Sequence, residues 1–317
     1  MKALVITKFG GPEALDVQDV PAPSAETGKI LVKVEAGGLN FADVMTLQGG
    51  YAGVPKPPLV AGREFAGREK QSSRRVMGYA QWGAFAEQAT VRPELLWPIP
   101  EGWTSEQGAA FPVNFFTAYF AYWKAGLIER SAGARVLIHA VAGGVGTAAV
   151  QIGKILGIEM YGTSSSEEKI SRVRNMGLAH AINYKQKDYE EAIKEMTNNE
   201  GVDAVFEMLG GEHTNKSIRC LRQFGRVIVY GTATGEKGSV DPRLLYARGT
   251  SVHGLWLTQL SQNEQVMASA WKHLSEWLQQ GRLEPVIDRD FPLDEAANAY
   301  RRLQEGKNFG KLVLKIM

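Results

Sequence analysis

The chain has 317 residues, of which 44% are hydrophobic and 22% are charged, and its formal net charge at pH 7 is +2. This composition is typical of a globular protein with room for two domains, and the lack of a basic block argues against nucleic acid as the main partner. The one cysteine, Cys220, excludes an intramolecular disulfide and a zinc site built from several cysteines.

No signal-peptide pattern precedes the first predicted strand, at residues 3–6, and no apolar run reaches the length needed to cross a membrane. A single cysteine also fits a reducing compartment. We therefore expect a cytoplasmic protein without a membrane span.

Residues 1 to about 100 contain short apolar runs separated by Gly and Pro, the clearest at 3–6 and 30–34. This pattern predicts strands in a compact, mainly antiparallel domain. The apolar and aromatic stretch over 106–126 contains one proline, Pro112, which predicts two helices joined across a break.

From residue 136 onward, short apolar runs alternate with segments of helical periodicity. Strands are predicted at 136–140, 159–162, 181–183, 204–207, 226–230 and 251–255, and helices at 146–156, 167–176, 189–197 and 213–221. Repeated β-α-β units of this kind predict a doubly wound parallel sheet of the Rossmann type. Its last strand, at 251–255, would be an open edge of that sheet.

Two further helices are predicted at 263–280 and 294–305, followed by a strand at 311–316. A single strand needs a partner sheet, and we expect this one to rejoin the amino-terminal domain and make that domain discontinuous. The predicted fold is therefore α/β, with a parallel sheet and a separate, mainly antiparallel β-domain.

The loop between the strand at 136–140 and the following helix is Val141-Ala-Gly-Gly-Val-Gly146. Gly143 and Gly144 allow a pyrophosphate to approach the backbone, and Gly146 allows tight packing of helix on sheet. The amides at the helix start would then face the phosphates. Val141 stands where the usual fingerprint has its first glycine, and such a loop alone also fits an ordinary strand-to-helix turn.

The end of the second parallel strand indicates which dinucleotide binds. A free ribose 2′-hydroxyl usually meets an acid about twenty residues beyond the loop. Here the segment is Tyr161-Gly-Thr-Ser-Ser-Ser166, and the first acids, Glu167 and Glu168, belong to the next helix. The serines alone favour a helix N-cap, with Lys169 a solvated residue. Together with the missing acid, Ser165 and Lys169 favour NADPH over NADH.

Five segments carry a family resemblance, in the same order along nearly the whole chain. They are Ala36-Gly-Gly-Leu-Asn-Phe-Ala-Asp43, Phe111-Pro-Val-Asn-Phe-Phe-Thr-Ala118, the glycine loop, Ala181-Ile-Asn-Tyr184 and Asn308-Phe-Gly-Lys-Leu-Val-Leu314. The chain thus resembles the medium-chain dehydrogenase/reductase superfamily, in its zinc-independent quinone oxidoreductase branch. It is most similar to the subgroup that contains the vesicle amine transport protein and bacterial NADPH:quinone reductases.

The resemblance implies a discontinuous GroES-like catalytic domain over 1–115 and 257–317 and a Rossmann dinucleotide-binding domain over 116–256. It implies NADPH as the cofactor, no metal, and a homodimer paired along the open edge of the parallel sheet. The residues that it places around the cofactor are Asn40, Thr117, Gly143, Gly144, Val145, Ser165, Lys169, Tyr184, Gly231, Thr232, Leu255, Leu257 and Asn308.

Zinc-dependent relatives have a cysteine where this chain has Asn40 and a histidine where it has Arg63, and neither residue here is a good zinc ligand. A second difference is a shortened segment between Gly67 and Val76, where family members usually have an extra strand pair. That segment would alter the wall near the substrate, so the identity of the acceptor stays open.

Without a Lewis acid, conjugated acceptors are easier to reduce than isolated carbonyls because charge spreads over their π-system. We expect Asn40 and Tyr51 to donate hydrogen bonds to the developing oxyanion, with Tyr51 or water completing proton transfer. Asn40 fits equally well a role in a turn or on the cofactor amide, and Tyr51 could also pack a loop. Asp43 is expected to orient loops, and His139 to be a buried core residue.

Three functions remain open from the sequence. The first is reduction of a quinone or an α,β-unsaturated carbonyl. The second is reduction of an enoyl thioester, with a carrier phosphate bound by Arg63, Arg68, Arg74 and Arg75, although those arginines more readily form a solvated loop. The third is a non-catalytic NADPH-binding protein.

Overall fold

The computed structural model describes residues 1–24 and 27–316. The strands are β1 (Lys2–Ile6), β2 (Leu15–Asp19), β3 (Ile30–Leu39), β4 (Leu59–Val60), β5 (Glu64–Glu69), β6 (Arg75–Tyr79), β7 (Gln88–Val91), β8 (Leu96–Pro98), β9 (Arg135–Ile138), β10 (Glu159–Ser164), β11 (His180–Asn183), β12 (Val202–Glu207), β13 (Leu221–Val229), β14 (Ser251–Gly254), β15 (Ile287–Pro292) and β16 (Lys311–Lys315). The α-helices are α1 (Phe41–Leu47), α2 (Ser105–Ala109), α3 (Pro112–Ala125), α4 (Gly144–Leu156), α5 (Glu167–Asn175), α6 (Tyr189–Met196), α7 (His213–Arg219), α8 (Pro242–Tyr246), α9 (Leu257–Leu260), α10 (Glu264–Gln279) and α11 (Ala296–Gln304).

The chain divides into two compact units. Unit 1 comprises Met1–Asn114 with Thr258–Met317, and unit 2 comprises Phe115–Leu257. Each unit has its own sheet system and is described by itself below.

Unit 2 contains a parallel sheet with the strand order β11-β10-β9-β12-β13-β14. This is the order of the dinucleotide-binding fold, in which the direction of winding reverses between the first and fourth strands, here β9 and β12. The doubly wound sheet predicted from the sequence is confirmed. β14 ends the order and pairs only with β13 among the described strands.

The core of unit 2 explains why its strands appear in the sequence as continuous apolar runs. Val136, Leu137 and Ile138 of β9 are fully buried because helices cover both faces of a parallel sheet. Helix α4 begins within the glycine loop, at Gly144, and ends at Leu156; its C-cap, Gly157, has a φ of +68°, the left-handed conformation typical of a helix C-terminus. Cys220 is free and buried, as a small apolar residue would be.

Unit 1 is mainly antiparallel. One of its sheets has the order β15-β16-β3-β5-β6-β8, with β7 also paired to β3, and the other has the order β2-β1-β4. The carboxyl-terminal strand β16 pairs antiparallel with β3, which places Leu312 opposite Leu39. The last strand therefore returns to the amino-terminal part of the chain, as its lack of a local partner suggested. β15 and β16 are the exception to the antiparallel pattern, since they run parallel.

The first hundred residues contain one feature that the sequence did not predict. Helix α1 (Phe41–Leu47) follows β3 directly, and the carboxylate of Asp43 accepts a hydrogen bond from the backbone N–H of Asn40 at its start. The predicted break at Pro112 is confirmed, because α2 ends at Ala109 and α3 begins at Pro112. Among the described helices, none combines the length and apolar character that crossing a bilayer requires.

Candidate active site

The glycine loop of unit 2 has the geometry of a phosphate cradle. Gly143 is the N-cap of α4, and its lack of a side chain leaves the helix start open. A Cβ on Gly146 would lie 2.5 Å from the carbonyl carbon and oxygen of Val141, so only glycine fits there. The amides of Gly144, Val145 and Gly146 precede the first intrahelical hydrogen bond, which Thr147 donates to Gly143. These amides can donate to an anion.

The end of β10 brings together three residues that the resemblance places near the adenosine. The backbone N–H of Tyr184 donates to the carbonyl of Ser164 at 3.1 Å, so Tyr184 lies beside the β10 end, next to Ser165. Ser166 is the N-cap of α5 and accepts from the backbone N–H of Lys169, which places Lys169 in the first turn of that helix. The N-cap expected among the serines is confirmed at Ser166. Tyr184 is 52% exposed.

No carboxylate occupies the two positions directly after β10, which are Ser165 and Ser166. The first acid, Glu167, lies in α5 and accepts a hydrogen bond from the side-chain amide of Asn183 at 2.7 Å. The end of β10 therefore offers hydroxyl groups where an NADH-binding sheet would present an acid.

The other residues of unit 2 that were expected to meet a cofactor lie mostly at the same edge of the sheet. Gly231 and Thr232 follow the end of β13, and the N–H of Leu255, just after β14, donates to the carbonyl of Val229. Leu257 begins α9. Thr117 is different, since it is buried within α3. Parallel strands present their carboxyl ends together, and this edge is where ligands bind in such sheets.

Unit 1 contains a buried cluster of polar side chains around Lys311, here called the lysine cluster: Asn40, Glu64, Asn114 and Lys311. The Lys311 ammonium donates to Asn40 Oδ1 at 2.5 Å, to Asn114 Oδ1 at 3.4 Å and to the Glu64 carboxylate, with which it forms an ion pair. Glu64 also accepts from the Val113 N–H at 2.7 Å. All three donors of the ammonium are thus used within the cluster.

Asn40 joins the lysine cluster to the start of α1. Its side-chain nitrogen donates to Glu64 Oε1 at 2.8 Å and to the carbonyl of Gly38 at 3.1 Å, while its backbone N–H donates to Asp43 at 2.8 Å. Both side-chain N–H groups are therefore engaged inside unit 1. Asn308, expected to reach a cofactor, is also nearly buried, and its amide donates to the carbonyl of Gly310 at 2.8 Å.

Arg63 lies beside the lysine cluster, directly before β5, and is 1% exposed. Its guanidinium donates to Thr46 Oγ1 at 2.7 Å and to the carbonyl of Gln81 at 3.1 Å, and its Nε lies 3.7 Å from Asp43 Oδ1. Burial raises the pKa of Asp43 to about 6, against the opposing attraction of Arg63.

The sequence interpretation of Arg63 as part of a solvated arginine loop is therefore wrong. The physical reason is that a carboxylate and two aromatic rings surround its side chain. The other three arginines are exposed or partly exposed: Arg68 pairs with Glu35, Arg74 pairs with Glu69, and Arg75 donates to the carbonyl of Trp103.

Tyr51 and Trp82 form an aromatic pair, and both rings pack on the guanidinium of Arg63. The Cζ atom of Arg63 lies 3.7 Å from the ring centroid of Tyr51 and 4.2 Å from that of Trp82, and the two rings meet edge to face at 6.0 Å. The Tyr51 hydroxyl is 3.5 Å from Thr258 Oγ1, whereas the Tyr79 hydroxyl is 2.8 Å from the same atom. Tyr51 and Trp82 are half-buried, so this pair forms the accessible side of the arginine site.

Sequence reasoning missed Glu64 and Lys311 as members of a site. Lys311 lies within one of the five family segments, but the only signal for its pairing with Glu64 is that each is a charged residue inside an otherwise apolar strand pattern. The contact joins residues 247 positions apart.

Comparison with known proteins assigns the chain to the family that the five sequence segments indicated. Residues 144–276 match the family model for zinc-binding dehydrogenases, and residues 26–69 match that for the alcohol dehydrogenase GroES-like domain. The synaptic vesicle membrane protein VAT-1 homolog of Rattus norvegicus is 34% identical, covering 99% of this chain and 84% of that protein. The quinone oxidoreductase of Mus musculus is 31% identical, covering 99% of this chain and 97% of that protein.

The chain belongs to the medium-chain dehydrogenase/reductase superfamily, in its quinone oxidoreductase branch. The family predicted from the five segments is confirmed. Among solved structures, the quinone oxidoreductase from Thermus thermophilus, described also in its complex with NADPH, aligns with a TM-score of 0.89. It is 35% identical and covers 99% of this chain and 100% of that chain.

Proposed function

We propose that this member of the quinone oxidoreductase branch is an NADPH-dependent oxidoreductase that transfers hydride to a conjugated acceptor, either a quinone or an α,β-unsaturated carbonyl. The observation that carries the proposal is the carboxyl edge of the unit 2 sheet. There the open glycine loop leads into the first turn of α4, and no acid directly follows β10. Its relatives named as quinone oxidoreductases, and the NADPH complex of one of them, support the same conclusion.

In this proposal unit 2 serves as the dinucleotide-binding domain and unit 1 as the catalytic domain. Gly143, Gly144 and Val145 hold the pyrophosphate with backbone amides and the positive end of the α4 dipole. Ser165, Lys169 and Tyr184 hold the adenosine 2′-phosphate. Within unit 2, the residues proposed on the nicotinamide side are Thr117, Gly231, Thr232, Leu255 and Leu257. When bound, NADPH supplies the hydride.

We further propose that the reaction needs no zinc. The positions of zinc ligands in zinc-dependent relatives are Asn40 and Arg63 here. The oxygens of Asn40 and Glu64 already bind the Lys311 ammonium, and Arg63 brings a second fixed positive charge beside them. A divalent cation among these groups would meet two permanent cations, which Coulomb repulsion disfavours. Within the described residues, no group of three His, Cys, Asp or Glu side chains is arranged to hold a metal ion.

Tyr51 is the proposed hydrogen-bond donor to the acceptor. Its ring lies on the Arg63 guanidinium and its hydroxyl is 3.5 Å from Thr258 Oγ1, a longer contact than that of Tyr79. A half-buried phenol beside a buried cation can stabilise negative charge on the acceptor oxygen as hydride arrives. Either Tyr51 or water then completes the proton transfer.

The hydrogen bonds of Asn40 favour a holding role over direct contact with the oxyanion. Its two side-chain N–H groups donate to Glu64 and to Gly38, and its Oδ1 accepts from Lys311. We therefore propose that Asn40 fixes the start of α1 and the lysine cluster. Asp43, which accepts from the Asn40 backbone, orients the same turn.

The proposed assembly is a homodimer formed along β14, the edge strand of the parallel sheet, and the proposed location is the cytoplasm. Beside this edge, Phe224 and Tyr246 are 72% and 76% exposed. Analytical ultracentrifugation of the purified protein tests the dimer. A His253→Lys substitution on β14 should convert the dimer to monomer, since a charged edge residue opposes strand pairing.

The experiment that tests the activity follows NADPH absorbance at about 340 nm with 1,4-benzoquinone, a 2-alkenal and crotonyl-CoA as acceptors. We expect turnover with the quinone, the alkenal or both. Turnover with crotonyl-CoA alone would instead support an enoyl-thioester reductase. Tight NADPH binding without turnover would support a non-catalytic NADPH-binding protein. The contacts of Arg68 and Arg74 with Glu35 and Glu69 give no support to a carrier-phosphate site.

A further inference from the structure

The side chain of His139 lies behind the turn that joins β9 to α4. It is 1% exposed, as the sequence predicted. Its Nδ1 is 3.1 Å from Thr163 Oγ1 on β10, and its Nε2 is 3.1 Å from Ser217 Oγ on α7. Burial lowers the pKa of His139 to about 3, so the ring is neutral near pH 7. A neutral imidazole has one donor and one acceptor, which suits a hydroxyl on each side.

Thr163 connects this imidazole to the glycine loop. The N–H of Ala140 donates to Thr163 Oγ1 at 3.3 Å, and the N–H of Val141 donates to the Thr163 carbonyl at 3.0 Å. Ala140 has a φ of +47°, a left-handed conformation that alanine rarely adopts. Gly143 closes the turn by donating to the carbonyl of Ala140 at 2.8 Å. The turn is therefore held in an unfavourable conformation by its bonds to Thr163.

The two nitrogens of the ring face different parts of unit 2. Nδ1 faces Thr163, whose hydroxyl is shared with the turn, whereas Nε2 faces Ser217 on a helix that packs against β12 and β13. If His139 only filled the core, loss of its Nδ1 contact and loss of its Nε2 contact would change the glycine loop to the same extent. If His139 holds the loop, only loss of the Nδ1 contact would change it.

We propose that His139 is a positioning residue for the dinucleotide. Its Nδ1 contact orients the Thr163 hydroxyl, Thr163 fixes the turn over residues 140–143, and the turn fixes the direction of the Gly144, Val145 and Gly146 amides. This inference rests on the proposed function, because it assumes that a dinucleotide pyrophosphate binds those amides.

Two substitutions separate the two sides of the ring. In His139→Asn the amide lies near the position of Nδ1 and can still bond to Thr163. In His139→Gln it lies near the position of Nε2 and can bond only to Ser217. Both variants lose the ring and gain an amide, so each controls for the other.

The measurements are the NADPH dissociation constant, by fluorescence titration, and kcat at saturating NADPH. His139→Asn should keep the dissociation constant within about twofold, and His139→Gln should raise it about tenfold, the effect of about one hydrogen bond. The kcat of both should stay near the wild-type value. Thr163→Val should reproduce His139→Gln, Thr163→Ser should restore wild-type binding, and Ser217→Ala should leave binding unchanged. Equal dissociation constants for the Asn and Gln variants would overturn the proposal.

Hydrogen–deuterium exchange without NADPH distinguishes failure of this inference from failure of the proposed function. The amides of Ala140, Val141 and Gly143, which are hydrogen-bonded in the turn, should exchange faster in His139→Gln than in His139→Asn, while those of β13 should not differ. If the wild-type protein does not bind NADPH, the proposed function fails, and this exchange difference still supports the role of His139 in fixing the turn. Equal exchange in the two variants would overturn that role.

Discussion

The ammonium of Lys311 and the carboxylate of Glu64 form an ion pair in which the two side chains are 2% and 0% exposed. Lys311 lies on the carboxyl-terminal strand β16, and Glu64 begins β5. Asn40, which precedes α1, bonds to both members of the pair. The Glu64 carboxylate also accepts a hydrogen bond from the backbone N–H of Val113 at the start of α3. One buried cation thus ties four separate segments of unit 1 together.

Replacing Lys311 with methionine should lower the free energy of unfolding by about 3–5 kcal/mol, because the Glu64 carboxylate would stay buried without its counter-charge. Urea denaturation measures the change. Lys315→Met on the same strand is the control, since its ammonium is half-exposed, and it should leave stability nearly unchanged. The double variant Glu64→Gln with Lys311→Met should recover much of the loss. A loss in Lys311→Met no larger than that of Lys315→Met would contradict a stabilising role for the buried pair.

Cofactor preference should change with charge at the end of β10. Lys169→Ala should reduce the ratio of NADH to NADPH dissociation constants about tenfold, because a phosphate would lose a cationic partner. Ser165→Asp should shift the preference further toward NADH, since a carboxylate repels a 2′-phosphate and accepts from a ribose hydroxyl. Lys194→Ala on α6, which removes a surface pair with Glu190, is the control. An unchanged ratio in Lys169→Ala would show that this side chain does not bind the phosphate.

Gly146→Ala should destabilise unit 2 by about 2–3 kcal/mol and weaken NADPH binding. The added Cβ would lie 2.5 Å from the Val141 backbone, so the loop or the start of α4 has to move. Gly254→Ala is the control for stability, because a Cβ added there would meet no atom within 4 Å beyond its chain neighbours. The comparison uses the urea midpoint of each purified variant. Equal midpoints would contradict the tight packing of α4 on the turn.

Acid should destabilise unit 2 through His139. Its folded pKa is about 3 against an ordinary value of 6.5, so the unfolded chain binds a proton below about pH 6.5 that the folded chain does not. The free energy of unfolding therefore does not depend on the titration of His139 above about pH 6.5. Between pH 6.5 and about pH 3 it falls by about 1.4 kcal/mol for each unit by which the pH decreases. His139→Asn should lack this slope, and Ser217→Ala, which keeps the imidazole, should retain it. Urea unfolding at about pH 5, 6 and 7 measures the slopes, and parallel slopes for wild type and His139→Asn would refute the assignment.

The sequence predicted the parallel sheet well because its signals are local. The runs that became β9, β10 and β12 are short, apolar and separated by helical periodicity, so each strand can be recognised without its neighbours. Helix α1 was missed because seven residues inside a strand-rich region leave too short a window for a helical period.

The polar cluster of unit 1 could not be predicted in the same way. Arg63 meets Thr46 and Gln81 from 17 and 18 positions away, and Lys311 meets Asn40 from 271 positions away. Charge and spacing along the chain do not encode such contacts, and a lone arginine in a Gly-rich region is more often solvated. The pairing of β16 with β3 brings Lys311 to Asn40.

The most direct test of selective NADPH binding is equilibrium titration of the purified protein with NADPH and with NADH, monitored by tryptophan or nicotinamide fluorescence. We predict saturable NADPH binding at one site per chain, at least about tenfold tighter than NADH binding, with the difference shrinking in Lys169→Ala. Equal affinity for the two dinucleotides, or no saturable binding of either, would contradict NADPH as the cofactor that this protein selects.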